Sequence, residues 1–372
     1  MNPVRGHAHD KVVSPTEFLG RLKHGQETTL RKDLGGATSN GMNPLNEFRQ
    51  DLVSGEWVLF ATKRTHSFRK YEEDTPQTKD ECPFENLESS DQSVIWHYPD
   101  KNNWSATVIK NKFPAVTQNL CSTEKSYGPF KTFDAIGDHE VIVYRDHDRG
   151  IYDFSIDDFS SMIKVYKKRF TELAEQAECT KYILIFHNHG RVAGASVYHP
   201  HSQIITTPIL PPDVSKSVNG AFQYYKDHKK RVYSELLEWE QKERSRIVYE
   251  NQHFIVFCPY VSKYPYEVRI FSKEGHAHFN QMPEDMDKHY ADALYTAIQK
   301  LKIVLGNPPF NMFIHTAPLV SDLGVHTHEF YHWHTEIIPH LKIDAGFEMG
   351  TGIEVNPSNP DESAEELRNA KI

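Results

Sequence analysis

The sequence predicts an α+β protein made of two similar halves, each a mainly antiparallel sheet with helices packed on it. Three observations carry that expectation. Short runs rich in β-branched and aromatic residues, bounded by turn residues, recur from Pro44 onward. Two long stretches with apolar residues at helical spacing interrupt them. The order of strand pair, helix, strand, and strand with a histidine pair then occurs twice, closing on "HPHSQII" at 199–205 and on "HWHTEII" at 332–338.

Taken in order, residues 1–43 mix glycine, serine, threonine and charge without a period, and read as an N-terminal extension. The first half, 44–212, holds strand-like runs at "EWVLFA", "SATVIKN", "HEVIVYR", "YILIFHN" and "SQIITTP". A helix separates the third from the fourth. Ser155 and Asp158 form its capping box, and Ile156, Phe159, Ile163, Tyr166, Phe170 and Leu173 fall near one face. The second half, 213–372, opens with one long charged helical crossover, "SKSVNGAFQYYKDHKKRVYSELLEWEQKERSR". The strand pattern then restarts at "HFIVFCPY" and "YEVRIFSKE", followed by a helix around "EDMDKHYADALYTAIQKLKIVLG" and strands at "FNMFIHTAP" and "YHWHTEIIPHL".

Composition narrows the function. A net charge of −9 argues against nucleic acid as a partner, because such binding draws on clustered Lys and Arg. The N-terminal stretch lacks an apolar signal core, and no run approaches the roughly 18 apolar residues of a membrane span. A soluble, cytoplasmic protein is expected. Four unpatterned cysteines (Cys82, Cys121, Cys179, Cys258) are expected as reduced thiols. Histidine, at 22 residues, is the anomaly, and its clustering raises metal and acid/base chemistry.

On a strand, alternate side chains share a face, so His199 and His201 project together, as do His332 and His334. Such a pair can share a metal, or divide metal binding from attack on a substrate. Two structural histidines are the competing reading. Ahead of the first pair, "FHNHGRVAGASVYHPHSQ" carries Asn188, Gly190, Gly194 and Ser196 in a loop of small residues whose backbone N–H groups can approach an anionic oxygen.

That segment resembles the active-site motif of galactose-1-phosphate uridylyltransferases, a branch of the histidine-triad superfamily built from two histidine-triad-like halves. The resemblance runs from "WVLFATKR" through "CPF", "VIKNKFPAV" and "GDHEVIVY" to "HPHSQ", and on through "YHWHTEIIPHLKIDAGFEMGTG" to "ESAEELR". It implies that His201 is the nucleophile, which suits a neutral imidazole at pH 7, and that Gln203 donates to a phosphate oxygen. It further implies contacts to substrate from Arg64, Asn111, Phe113, Asn188, Gly194 and Ser196, and to the sugar from Lys342, Phe347 and Glu348. For Phe113 and Phe347 core packing competes, and Lys342 with Glu348 could form a solvated pair.

The resemblance also implies metals. A structural zinc would be held by Cys82, by Glu85 standing where many members have a second cysteine, by His139 and by His199. His315, His332 and His334 match three histidines that hold iron in some members, so iron or a second zinc is the corresponding expectation, with Glu336 or His328 as the fourth ligand. A role in hydrogen bonding inside the second half competes. The implied activity is ping-pong transfer of UMP between UDP-hexose and hexose 1-phosphate through a nucleotidyl-histidine, by a homodimer. A phosphorylase or adenylyltransferase using an ADP-sugar or dinucleoside polyphosphate is the alternative within the superfamily. A non-catalytic nucleotide- or metal-binding protein is the alternative outside it.

Overall fold

A computed structural model describes residues 46–62, 76–87, 90, 92–118, 121, 123–176, 178–320, 323 and 326–372. The extension 1–43 and Arg64 lie outside the described residues. Ten strands form one sheet: β1 (Val94–Tyr98), β2 (Ala106–Lys110), β3 (His139–Tyr144), β4 (Tyr182–His189), β5 (His201–Thr207), β6 (Ile247–Glu250), β7 (Phe254–Phe257), β8 (Val268–Ser272), β9 (Phe310–His315) and β10 (His334–Pro339). Their spatial order is β6-β7-β8-β10-β9-β4-β5-β3-β2-β1, every neighbouring pair antiparallel.

That order reads the same from either edge. From one side it runs β1-β2-β3-β5-β4, and from the other β6-β7-β8-β10-β9, so the duplication seen in the sequence is a duplication of topology. The halves meet where β4 pairs with β9, Asn188 opposite Asn311 and Ile185 opposite Ile314. The fold is thus α+β, and its two antiparallel half-sheets are fused into one.

The early strand at "EWVLFA" takes no part in this sheet. Trp57–Phe60 pairs instead with Glu47–Gln50 and, in parallel, with Glu354–Asn356 near the other end of the chain. The first half begins its sheet with β1, whose residues are only partly buried.

One helix follows the third strand of each half: α1 (Ile156–Glu175) after β3, and its counterpart after β8. α1 is capped as its sequence indicates, Ser155 Oγ accepting from the Asp158 N–H while the Asp158 carboxylate accepts from Ser155 N–H at 2.8 Å. The crossover between halves is two helices, not one: α2 (Pro212–His228) and α3 (Val232–Glu243). Lys229 ends α2 in the left-handed region, with φ 56°, and the chain turns there. The helix after β8 is α4 (Asp287–Leu305), ended by Gly306 at φ 72°. Two short helices, α5 (Gly346–Thr351) and α6 (Pro360–Asn369), follow β10.

Helices α1 and α4 pack on each other and on one face of the sheet, burying Phe159, Ile163 and Phe170 with Leu294, Ala297 and Ile298. Each large apolar side chain so buried contributes about 1.5–3 kcal/mol. On the opposite face α2 and α3 cover β7 and β8, with Val218, Ala221 and Leu237 against Phe257 and Phe271. That face is covered differently in the first half, where the cluster around β2 and β3 is small: Cys82, Phe84, Leu87, Ile109, Val141 and Val143. Room for a ligand is left there, and His201 and Gln203 point into it. One expectation changes: Cys121 and Cys179 are joined, their Cα atoms 5.7 Å apart, while Cys82 and Cys258 are free and buried. Among the described residues, no helix is long and apolar enough to cross a membrane.

Candidate active site

His201 opens β5, next to Pro200, and its ring is buried. Its Nδ1 lies 2.9 Å from the His199 carbonyl oxygen. A carbonyl can only accept, so Nδ1 carries the proton and Nε2 presents a lone pair. Burial lowers the pKa of this ring, opposed by the bond to the His199 carbonyl, so the imidazole is neutral at pH 7. Phe84 meets the ring edge-on at 5.3 Å between centroids. From the other face of β5, Ser202 Oγ is held by Tyr166 Oη at 2.5 Å, Tyr144 Oη at 2.8 Å and His187 Nδ1 at 3.0 Å. A side chain anchored from below by three partners fixes the strand that carries its neighbours.

A cavity of about 480 Å³ is lined by His201 and Gln203 with Phe84, Asn111, Phe113 and Ser196. An adjoining one of about 270 Å³ shares Ser196 and holds Asn188. Phe113 is 84% exposed at the rim, which excludes the core role weighed for it. Asn188 is oriented across the junction of the halves: its Oδ1 accepts from Asn311 Nδ2 at 2.7 Å, and Asn311 also donates to the Ala193 carbonyl at 2.8 Å. The intervening loop turns on Gly190 and Gly194, at φ 85° and 91°. Only glycine takes such angles without strain.

Lys342, Phe347 and Glu348 line neither cavity. Lys342 pairs with Asp344 and Glu354, not with Glu348, whose carboxylate accepts from Ala345 N–H at 3.1 Å at the start of α5. Phe347 is 44% exposed, so it is not a core residue either.

The metal ligands need one correction. Cys82, His147 and His199 come together, all buried, with their ligand atoms within 4.8 Å of one another. Glu85 Oε1 stands 3.5 Å from His199 Nδ1 and 3.6 Å from His147 Nδ1. His139 is elsewhere, bonded to Gln203 at 2.8 Å. His147 was not singled out in the sequence; its signal is its place three residues past β3, whose last residue, Tyr144, borders His199. His147 Nε2 donates to the Gln77 carbonyl at 2.7 Å, and His199 Nε2 to the Tyr144 carbonyl at 2.5 Å. Both rings therefore turn bare Nδ1 lone pairs at each other, 3.1 Å apart. Burial lowers His199 to about 4, so the His199 ring does not take up a second proton at pH 7. A cation between them relieves the opposition, and with Cys82 and Glu85 the donor set suits a tetrahedral ion.

The second expected metal set is not assembled. Among the described residues the Cys82, His147 and His199 group is the only one of its kind. His315 Nε2 is 3.0 Å from Glu336 Oε2, while Arg269 reaches Glu336 Oε1 at 3.0 Å and Glu267 Oε1 at 2.8 Å. A guanidinium thus offsets the Glu336 carboxylate where a metal would otherwise be needed. His334 is stacked between Phe271 and His315, His332 bonds Ser272 Oγ at 3.0 Å, and His328 is exposed beside Glu329.

Comparison with known proteins agrees with this architecture. Residues 40–211 match the family profile "Galactose-1-phosphate uridyl transferase, N-terminal domain", and residues 218–371 match its C-terminal counterpart. The chain is 31% identical to an ADP-glucose phosphorylase of Arabidopsis thaliana over 91% of its own length and 97% of the relative's. It is 28% identical to a galactose-1-phosphate uridylyltransferase of Thermotoga maritima, covering 88% and 99%. The crystal structure of an ADP-glucose phosphorylase from Arabidopsis thaliana with bound ADP-glucose superposes with a TM-score of 0.75 at 29% identity, over 88% of this chain and 100% of that one.

Proposed function

This chain belongs to the galactose-1-phosphate uridylyltransferase family, and from that premise we propose that it transfers a nucleotidyl group from a nucleotide sugar through a covalent bond to His201. One observation carries the reading: the His199 carbonyl holds the His201 proton on Nδ1, leaving the Nε2 lone pair directed into a cavity that also contains Gln203. Nε2 attacks the α-phosphorus. The N–P bond forms as the P–O bond to the sugar phosphate breaks, and the sugar 1-phosphate leaves with that electron pair. An oxygen of the acceptor phosphate then attacks the same phosphorus, and the P–N electrons return to Nε2. The Nδ1 proton stays on the ring throughout. Gln203 and Asn188 supply neutral donors to the phosphate oxygens, and the 190–196 loop shapes the space around them.

Zinc is the ion we assign to Cys82, Glu85, His147 and His199. Its part is structural. It would tie the 77–85 segment, with Phe84 packed on His201, to His199, whose carbonyl orients the nucleophile.

Two pairings of base and acceptor suit the site. UMP transfer between UDP-hexose and hexose 1-phosphate is one, and the Thermotoga relative carries the name galactose-1-phosphate uridylyltransferase. AMP transfer from an ADP-sugar to phosphate is favoured by the longer and more identical match to the Arabidopsis enzyme, and we rank it first. Because Lys342, Phe347 and Glu348 line neither cavity of their own chain, the reading places them in the site of a second copy, in a homodimer. Incubation with ADP-glucose or UDP-glucose labelled in the α-phosphate tests the proposal. The denatured protein should carry acid-labile, base-stable label from one of the two, and the reading fails if neither labels it or if His201→Ala retains the label.

A further inference from the structure

Gln203 can assist transfer only if its amide N–H groups, and not its carbonyl oxygen, face the phosphate. An amide side chain rotated by a half turn occupies the same space with the opposite polarity, so something must select the orientation. The selector is traceable. Ala115 N–H points at His139 Nδ1, 3.1 Å away. A backbone N–H can only donate, so Nδ1 is bare, and in a neutral imidazole the proton is then on Nε2. Nε2 lies 2.8 Å from Gln203 Oε1.

The chain of bonds therefore has one direction: Ala115 N–H to His139 Nδ1, then His139 Nε2–H to Gln203 Oε1. With its oxygen engaged, Gln203 turns its NH2 group toward the cavity. The same ring abuts the nucleoside rim. Asn111 Oδ1 accepts from Phe113 N–H at 2.9 Å, which puts Asn111 Nδ2 3.1 Å from the protonated His139 Nε2. Two donors cannot bond, so the Asn111 N–H groups are left for another acceptor. We propose that His139 is a positioning residue that fixes the polarity of the Gln203 amide and couples it to the Asn111–Ala115 loop, so that occupancy of the nucleoside rim and readiness of the phosphate donor are linked. This rests on the transfer reading above for the identity of the ligand, but not for the hydrogen-bond logic.

A pair of near-isosteric variants separates polarity from bulk. His139→Gln keeps an N–H donor for Gln203, whereas His139→Glu offers carboxylate oxygens and reverses the amide. In single-turnover labelling, His139→Glu should slow transfer about 100-fold, the scale for loss of one oxyanion donor, and His139→Gln less than about tenfold. The loss should fall chiefly in the transfer rate, with a smaller loss in nucleotide affinity. In a Gln203→Ala background the His139→Glu effect should shrink to less than about threefold, since no amide remains to reverse. Equal losses in the two His139 variants, or an undiminished His139→Glu effect without Gln203, would overturn the proposal. The same cycle is to be run on the affinity for AMP and UMP, which needs no turnover. Coupling between positions 139 and 203 in binding supports the positioning role even if the wild-type protein forms no label, a result that would sink the transfer reading alone.

Discussion

Replacing Gly190 by alanine tests whether the loop between β4 and β5 sets the active geometry. Gly190 has φ 85° and ψ 151°, a combination essentially confined to glycine, where another residue incurs strain of order 1–3 kcal/mol. A Cβ there would also lie 2.9 Å from Pro309 Cβ and 3.4 Å from Pro309 Cα. Overpacking of that kind adds about 1–3 kcal/mol, for a total of about 2–6 kcal/mol. Part of this is relieved if the loop lifts off Pro309, carrying Ser196 and the Ala193 carbonyl away from Asn188 and Asn311. A displacement of about 1 Å in a positioned group can cost on the order of 100-fold in rate. We therefore expect Gly190→Ala to lower the melting temperature by less than about 10 °C while lowering kcat/KM by about 100-fold. The matched control is Gly128→Ala, at φ 58° with nothing within 4 Å of the added Cβ. It carries a left-handed penalty of about 1–2 kcal/mol at a residue that lines neither cavity and should leave kcat/KM unchanged. A Gly190→Ala protein with wild-type kcat/KM would refute the role given to this turn.

Metal analysis should find about one zinc per chain, strongly reduced in Cys82→Ser and His147→Ala but retained in His139→Ala. Loss of metal from the His139 variant would put the corrected ligand set in error. Burial pushes the Glu267 carboxyl up, to about 8, against the opposing pull of Arg269, so the folded state holds a proton that the unfolded chain releases near 4.5. The folded state binds more protons in that window, and this group's contribution to stability should decline as pH rises from about 4.5 to 8, then level off. Thermal melts across pH 5–9 would show the slope, and Glu267→Gln should flatten it; a steeper slope in that variant contradicts the assignment. Removing Arg269 as Arg269→Met leaves the buried Glu336 carboxylate without its guanidinium and should destabilise the protein by about 3–5 kcal/mol in urea titrations. Finally, mixing His201→Ala with Lys342→Ala subunits should restore up to about a quarter of wild-type activity, because half the dimers would carry one intact composite site. No restoration in mixtures shown to exchange subunits would place Lys342 outside the site.

Local pattern made part of this legible. The capping box at Ser155 and Asp158, the parity that sends His201 and Gln203 to one face, and the glycines of the 190–194 turn all depend on residues close in sequence. What escaped depends on partners far apart. Nothing within "GDHEV" or "YRDHDRG" says which histidine reaches Cys82, since β3 passes both ends of β5. His139, at the start of β3, faces Gln203, and His147, past its end, faces His199. The charge balance at Glu336 depends on Arg269 across the β8–β10 register, which no spacing within either strand reveals. The break between α2 and α3 lies in a run of lysine and arginine with good helix propensity, and only the left-handed turn at Lys229 shows it.

The β4–β9 seam gives the duplicated molecule a calibration mark. Asn311 belongs to the half without the nucleophile, yet it sets the amide of Asn188 in the half that has it. Sliding β9 by two residues would keep every side chain on its face but carry Asn311 roughly 7 Å away. Chimeras that exchange whole halves between relatives should therefore work only when both strands of the seam come from one parent. Within this protein, the inherited second copy serves the first as a fixed ruler.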